Sequence, residues 1–285
     1  MPAGGRKAGG GEGGVVVGGH GVAEHPAGVQ VLHRGQIQLV LTGGDLATRL
    51  WSRGFTEAFS GFATWAAAGN ATLHHGGTAA AVTKAWQRTT EQLDDHPVTV
   101  GTTQLNGTAF RSITRAALKN PAYYPLIIKA WDVASGPTGT STPLPTVIPD
   151  NLLSAQFAIM CQDTSWPRHD AKTIARLIDA DKKTHPLAGG LGAGVWPCSY
   201  WHQYAKPAGI TPNPHGPRDI LILQNRNDPA SPYAGAVETR HAFRNRAGMI
   251  TINAGGHGVD TTAPCISGKI TDFLTRDTLP RDQTC

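Results

Sequence analysis

An acid and a histidine, each just past an apolar run, are the residues of this sequence best placed to do chemistry. Asp228 follows Ile220-Leu221-Ile222-Leu223 and a polar turn. His257 follows Met249-Ile250-Thr251-Ile252 and stands inside Gly255-Gly256-His257-Gly258. A hydroxyl nucleophile needs a base that takes its proton, and a carboxylate that fixes the tautomer of that base and stabilises the imidazolium. Asp228 and His257 suit those two roles by position. They are 29 residues apart, room for one crossover helix and one strand, so their side chains would meet at one sheet edge. Parallel strands deliver functional residues at their C-terminal ends, where both of these sit. Taken singly, each has a plainer explanation. Asp228-Pro229 is a common turn starter, and a histidine in a Gly-rich loop is an ordinary surface residue. Their joint placement favours an acid–base pair.

The elements that must position this pair are strands followed by crossovers, and ahead of them lies a long helical stretch. From Asp45 to about Ser135, Leu46, Leu50, Trp51, Phe55, Phe59, Phe62 and Trp65 recur near helical spacing. Thr78 is a suitable N-cap for a helix through Val82, Trp86 and Leu93, closed by Asp95-His96-Pro97. Asn106-Gly107 precedes a helix through Phe110, Ile113 and Leu118 with Pro121 as its stop, and another runs from Tyr124 to Ala134. Residues 136–150 form a Pro/Thr/Gly linker. Phe157-Ala158-Ile159-Met160 is a short apolar run leading into Cys161, and a helix from Ala171 to about Lys183 follows. At the other end, residues 1–36 are Gly-rich without an apolar signal-peptide core, and disorder is expected there. Ile37-Gln38-Leu39-Val40-Leu41 reads as a strand ending at Thr42-Gly43-Gly44. Helices inserted between core strands form a lid; as a bare pattern they would equally form an independent bundle.

Composition excludes several classes. A net charge of +5 over 285 residues, without clustered Lys/Arg or interleaved aromatics, is a solubility property and gives no nucleic-acid footprint. No apolar run approaches the roughly 18 residues of a membrane span. No H-E-x-x-H is present, so neither metal nor cofactor is expected. The four cysteines, Cys161, Cys198, Cys265 and Cys285, form no C-x-x-C pair; two disulfides in an exported protein are the favoured reading, with free buried thiols as the alternative.

Taken as an ordered set, several motifs resemble one family. They are Phe157 to Asp163 with Trp166-Pro167, Trp196-Pro197-Cys198 with Trp201, Leu223-Gln224-Asn225-Arg226-Asn227-Asp228-Pro229-Ala230-Ser231-Pro232, Gly255-Gly256-His257-Gly258, and Cys265…Phe273-Leu274…Leu279-Pro280…Cys285. The sequence is similar to the C-terminal half of the secreted tripeptidyl-aminopeptidase-like α/β hydrolases of actinobacteria, serine exopeptidases related to proline iminopeptidases. The similarity is strong from Phe157 onward and looser over the helices. It implies a partial α/β-hydrolase fold: a core strand at 37–44, a helical lid at 45–150, and the C-terminal part of the parallel sheet at 151–285. It further implies Asp228 as triad acid, His257 as general base, and disulfides Cys161–Cys198 and Cys265–Cys285. The implied activity is removal of short peptides from the free N-terminus of a peptide substrate by an exported enzyme.

One departure matters. The family places its serine in a G-x-S-x-G elbow, and Ser52, Ser60, Ser154, Ser165, Ser199, Ser231 and Ser267 all lack the flanking glycines. The elbow would fall near Val15-Val16-Val17-Gly18-Gly19-His20-Gly21, which has no serine. The expectation is therefore a truncated chain, inactive by itself, that lacks the N-terminal strands and the elbow and has a missing N-terminal half as its partner. The alternative is a non-catalytic remnant or peptide-binding module. A sheet without its early strands is also expected to expose an apolar edge.

Overall fold

The computed structural model describes residues 30–33, 44–136, 144, 150–163, 166–202 and 212–285. Within the helical stretch, caps and apolar spacing set the elements. Helix α1 (Gly44–Ala68) buries Trp51, Phe55, Ala58, Phe59, Phe62, Ala63 and Ala66, the three-and-four spacing of one face. A single turn, α2 (Asn70–Leu73), follows. Helix α3 (Ala79–Asp95) opens at Thr78, whose hydroxyl accepts the Ala81 amide at 3.1 Å. Helix α4 (Gly107–Leu118) opens at Asn106, whose side chain accepts the Ala109 amide at 2.8 Å. Each cap satisfies one of the donors a helix start leaves unpaired. Helix α5 (Tyr124–Ser135) completes the block. Its core is aromatic: Trp86 lies 4.8 Å from Phe59 and 5.5 Å from Phe110, ring centre to ring centre, with Leu93, Leu118 and Ile127 around them. A hairpin of β2 (Val98–Val100) and β3 (Thr103–Leu105) joins α3 to α4. The sequence did not announce it, because three-residue strands are too short to show alternation.

The Phe157–Met160 run lies inside α6 (Asp150–Asp163), a helix with no clear mark in the sequence. Helix α7 (Ala171–Thr184) runs as expected from its spacing and is capped by Asp170, which accepts the Thr173 amide at 2.7 Å. Both implied disulfides are present, Cys161–Cys198 and Cys265–Cys285. Cys161–Cys198 is packed among Trp51, Phe157, Met160, Trp166, Trp196 and Trp201, so the aromatic residues flanking the cysteines form a small core of their own.

The main sheet has the order β1 (Gln30–His33), β4 (Ile220–Asn227), β5 (Ala247–Gly255), β6 (Gln283–Thr284). Strands β4 (Ile220–Asn227) and β5 (Ala247–Gly255) are parallel neighbours, joined through α8 (Tyr233–Phe243). Ile220 and Ile222 pack under α8 with Ala236 and Phe243, while Leu221 and Leu223 face α9 (Pro264–Arg276) at Ile266, Ile270 and Phe273. Burial on both faces explains why β4 begins as a continuous apolar run without alternation. The short β6 (Gln283–Thr284) adds in parallel to β5 and is held beside α9 by the Cys265–Cys285 bridge. On the other side of β4, β1 (Gln30–His33) pairs antiparallel, Gln30 opposite Leu223 and His33 opposite Ile220. Two expectations change here. The 1–36 segment contains a strand, and the edge of β4 expected to lie bare is paired along these four residues. The unpaired hydrogen-bonding groups of an edge strand are a ready template for such a segment. The expected strand at Ile37–Leu41, the Val15–Gly21 fragment and most of the 136–150 linker lie outside the described residues.

Candidate active site

Asp228 is the first residue beyond β4, and His257 lies two residues beyond β5. Parallel pairing carries both to one end of the sheet, and their side chains meet. His257 Nδ1 is 2.9 Å from Asp228 Oδ2 and 3.2 Å from Oδ1. The aspartate is 3% exposed, so its charge is sustained by hydrogen bonds and hardly by water. Its Oδ1 accepts the backbone amides of Ala230 at 2.8 Å and Ser231 at 2.7 Å. One carboxylate thus builds the turn and also contacts the imidazole. With Nδ1 engaged, Nε2 is the ring nitrogen that remains to take a proton.

Backbone geometry explains the glycines around His257. Gly256 and Gly258 have φ of +98° and +91°, in the left-handed region that side chains resist. A Cβ on Gly256 would also come within 3.0 Å of the Lys119 carbonyl oxygen. That closeness is used: the His257 amide donates to the same carbonyl, at the end of α4, at 2.6 Å. The loop is held from below by Asn225, whose Nδ2 donates to the carbonyls of Gly256 and Gly258 at 3.1 and 2.9 Å. Gln224 does the same for the aspartate turn, donating to the carbonyls of Asn225 at 2.9 Å and Ser231 at 2.8 Å.

From the helical side, Trp51 Nε1 donates to the Ala230 carbonyl at 2.8 Å. Three residues further along α1, Gly54 lets the helix lie directly on the turn, since a Cβ there would stand 2.6 Å from Pro232 Cγ and 2.9 Å from the Asp228 carbonyl oxygen. The Tyr124 phenol, near Gly61 and Gly255, has its pKa pushed up by burial. A second polar knot joins α1 to α7, where Ser52 donates to Asp181 at 2.7 Å and accepts the Gly192 amide at 3.1 Å.

Asp228 and His257 are marked in the sequence and meet in the structure, whereas the groups that support them carry no such mark. Gln224 and Asn225 are almost fully buried directly after the apolar run of β4, and buried amides there demand partners. That was the available signal. In the sequence Trp51 stands out only as part of an apolar stripe. Ser231 lacks the flanking glycines of an elbow; it is 1% exposed and its Oγ faces Nδ1 of His257 at 3.0 Å, the nitrogen that also contacts Asp228. None of the ten serines in the chain stands in a G-x-S-x-G.

A parallel strand pair with helices on both faces, and an acid and a histidine joined at its C-terminal edge, is part of an α/β-hydrolase fold. Residues 189–285 match the family model described as TAP-like protein. The chain is also similar to the tripeptidyl aminopeptidases of Streptomyces coelicolor (strain ATCC BAA-471 / A3(2) / M145) and Streptomyces lividans. Each is 33% identical over 133 residues, covering 45% of this chain and 24% of the relative. The match thus spans about a quarter of the length of these curated relatives. Among the described residues, no helix is long and apolar enough to cross a membrane.

Proposed function

We propose that this chain supplies the acid and the base of an exported serine exopeptidase that releases short peptides from free N-termini. The observation that carries this is the contact of His257 Nδ1 with the buried Asp228 carboxylate at the ends of adjacent parallel strands. Asp228 holds the imidazole in the Nδ1–H tautomer and stabilises its protonated form. His257 Nε2 takes the proton of a serine hydroxyl as that oxygen attacks the scissile carbonyl, and returns it to the leaving amine. The helical block over the turn, centred on α1, serves as the lid. The activity named for the relatives supports the substrate class, and two disulfides support an oxidising compartment.

Because no serine here has the elbow sequence, these 285 residues do not acylate by themselves; the nucleophile comes from an N-terminal half, carried on a longer polypeptide that includes this sequence or on a separate chain. The test is hydrolysis of a tripeptidyl p-nitroanilide by the chain alone and after co-expression with a segment bearing G-x-S-x-G and its strands. The expected result is no turnover alone and turnover together, abolished by His257→Ala. Robust turnover by the chain alone, lost in His257→Ala, would overturn the assignment of the nucleophile elsewhere. The absence of the elbow also favours a second reading, a peptide-binding module without chemistry. It predicts that peptide binding persists while turnover stays absent in the co-expressed complex.

A further inference from the structure

We propose that Ser231 is a positioning residue for His257, its hydroxyl fixing the imidazole in the Nδ1–H tautomer and against the carboxylate. The inference rests on the acid–base roles proposed above. Ser231 Oγ lies 3.0 Å from His257 Nδ1 and 3.2 Å from Asp228 Oδ2, forming a triangle with the 2.9 Å contact between those two. Its backbone is pinned at both ends: the amide donates to Asp228 Oδ1 at 2.7 Å, and the carbonyl accepts from the buried Gln224 side chain at 2.8 Å. The hydroxyl is thus held in place by the same turn that carries the acid.

The proton count decides what it does there. A hydroxyl has one proton and two lone pairs, and Nδ1 has either one proton or one lone pair. With Nδ1 protonated, the ring donates to Asp228 and shares that proton with a lone pair of Ser231 Oγ, while the serine O–H donates to Asp228 Oδ2. Every short contact then has a proton in it. With Nδ1 bare, the serine O–H would turn to the nitrogen. The 2.9 Å contact between Nδ1 and Oδ2 would become two lone pairs facing each other, and Oδ2 would lose the donor it has from serine. A buried carboxylate suffers from both. Ser231 therefore favours the tautomer that leaves Nε2 unprotonated and able to accept a proton. The other groups that reach this ring and its loop include the Asp228 carboxylate from the β4–α8 turn, the Lys119 carbonyl from the end of α4, and the Asn225 side chain and Asn227 carbonyl from β4.

The experiment is nitrogen-15 NMR of His257 in the full chain, comparing the parent with Ser231→Ala and Ser231→Thr. In the parent, a slowly exchanging Nδ1–H and an unprotonated Nε2 are expected. In Ser231→Ala, solvent exchange of Nδ1–H accelerates about tenfold, the scale of one hydrogen bond to a charged group, and Ser231→Thr restores it. The amides of residues 230 and 231 stay protected in Ser231→Ala, because their bonds to Asp228 do not use the hydroxyl. A purely structural role would instead accelerate those amides together with Nδ1–H. If Ser231→Ala does not fold, Ser231→Cys, similar in shape with a weak donor, is measured instead and should show the same acceleration to a smaller degree. Unchanged Nδ1–H exchange in a folded Ala or Cys variant, or acceleration shared equally by the two amides, overturns the proposal. The readout needs no substrate. Failure of the co-expressed complex to turn over would count against the peptidase function alone, and an unchanged ring signal in an active complex would count against Ser231 alone.

Discussion

Replacing Asp228 in two ways separates its work in the turn from its work on the histidine. Asp228→Ala strips the acceptor from the amides of Ala230 and Ser231, both in a buried turn, and leaves the Ser231 hydroxyl and His257 Nδ1 without their common partner. An unsatisfied buried group costs about 1–3 kcal/mol, so the loss should reach about 3–5 kcal/mol after the turn relaxes. Asp228→Asn keeps an oxygen where Oδ1 accepts both amides. Its new NH2 stands where Oδ2 was and donates toward Nδ1, which must then be unprotonated. The stability cost should be only about 1 kcal/mol, while the tautomer is the wrong one for a general base. Urea unfolding at neutral pH, followed by tryptophan fluorescence, measures the difference, since Trp51 is bonded to this turn. Ala should be the less stable variant by at least about 2 kcal/mol. In the co-expressed complex the well-folded Asn variant should nevertheless lose on the order of 10⁴ in kcat. Equal stability of Ala and Asn would refute the role of the carboxylate in building the turn, and undiminished turnover of Asn would refute its role on the base.

Three further outcomes are expected. Gly54→Ala should lower stability by about 1–3 kcal/mol in thermal unfolding, because its Cβ meets the Asp228 carbonyl oxygen and Pro232 and must push α1 off the turn. Removing the Cys265–Cys285 bridge as the double serine variant should cost about 3 kcal/mol in urea, the loop-closure value for a separation of 20 residues. Asp282 is pushed up by partial burial, but this is outweighed by hydrogen bonds from Arg240 and the Met249 amide, which hold its pKa below the ordinary carboxylate value. A depressed folded-state value means that its anchoring of the C-terminal tail is complete above the unfolded pKa and lost as pH falls through the lower folded one. The Met249 amide shift should titrate below the ordinary carboxylate range, and Asp282→Asn should abolish that titration.

What was legible in the sequence was local. Thr78 and Asn106 announced α3 and α4 because a cap is a bond between neighbours in the chain, and the runs ending near Asp228 and His257 announced two strands because burial on both faces leaves an unbroken apolar signature. The strand at Gln30–His33 was not legible, since its partner is Ile220–Leu223 and nothing in four residues specifies a contact so distant. The same holds for the site. Asp228 and His257 are marked by position, whereas Trp51, Lys119 and Asn225 act on them through backbone carbonyls or amides that exist only once the chain has folded. Phe157–Met160 assigns no element by itself, because four apolar residues look alike in a strand and in the last turns of a helix.

The hydrogen bond from the His257 amide to the Lys119 carbonyl draws a boundary that similarity does not. The family match covers residues 189–285, which hold the acid, the histidine and the two amide residues beneath them. Two of the contacts that seat the acid and histidine, Lys119 on the histidine loop and Trp51 on the aspartate turn, come from the helical block outside that match. A polypeptide cut at residue 189 would keep both side chains and lose two of the clamps on their loops. The smallest piece of this chain that holds the Asp228–His257 contact in its full set of clamps therefore reaches back to α1, and the helical block is part of the frame that holds that contact.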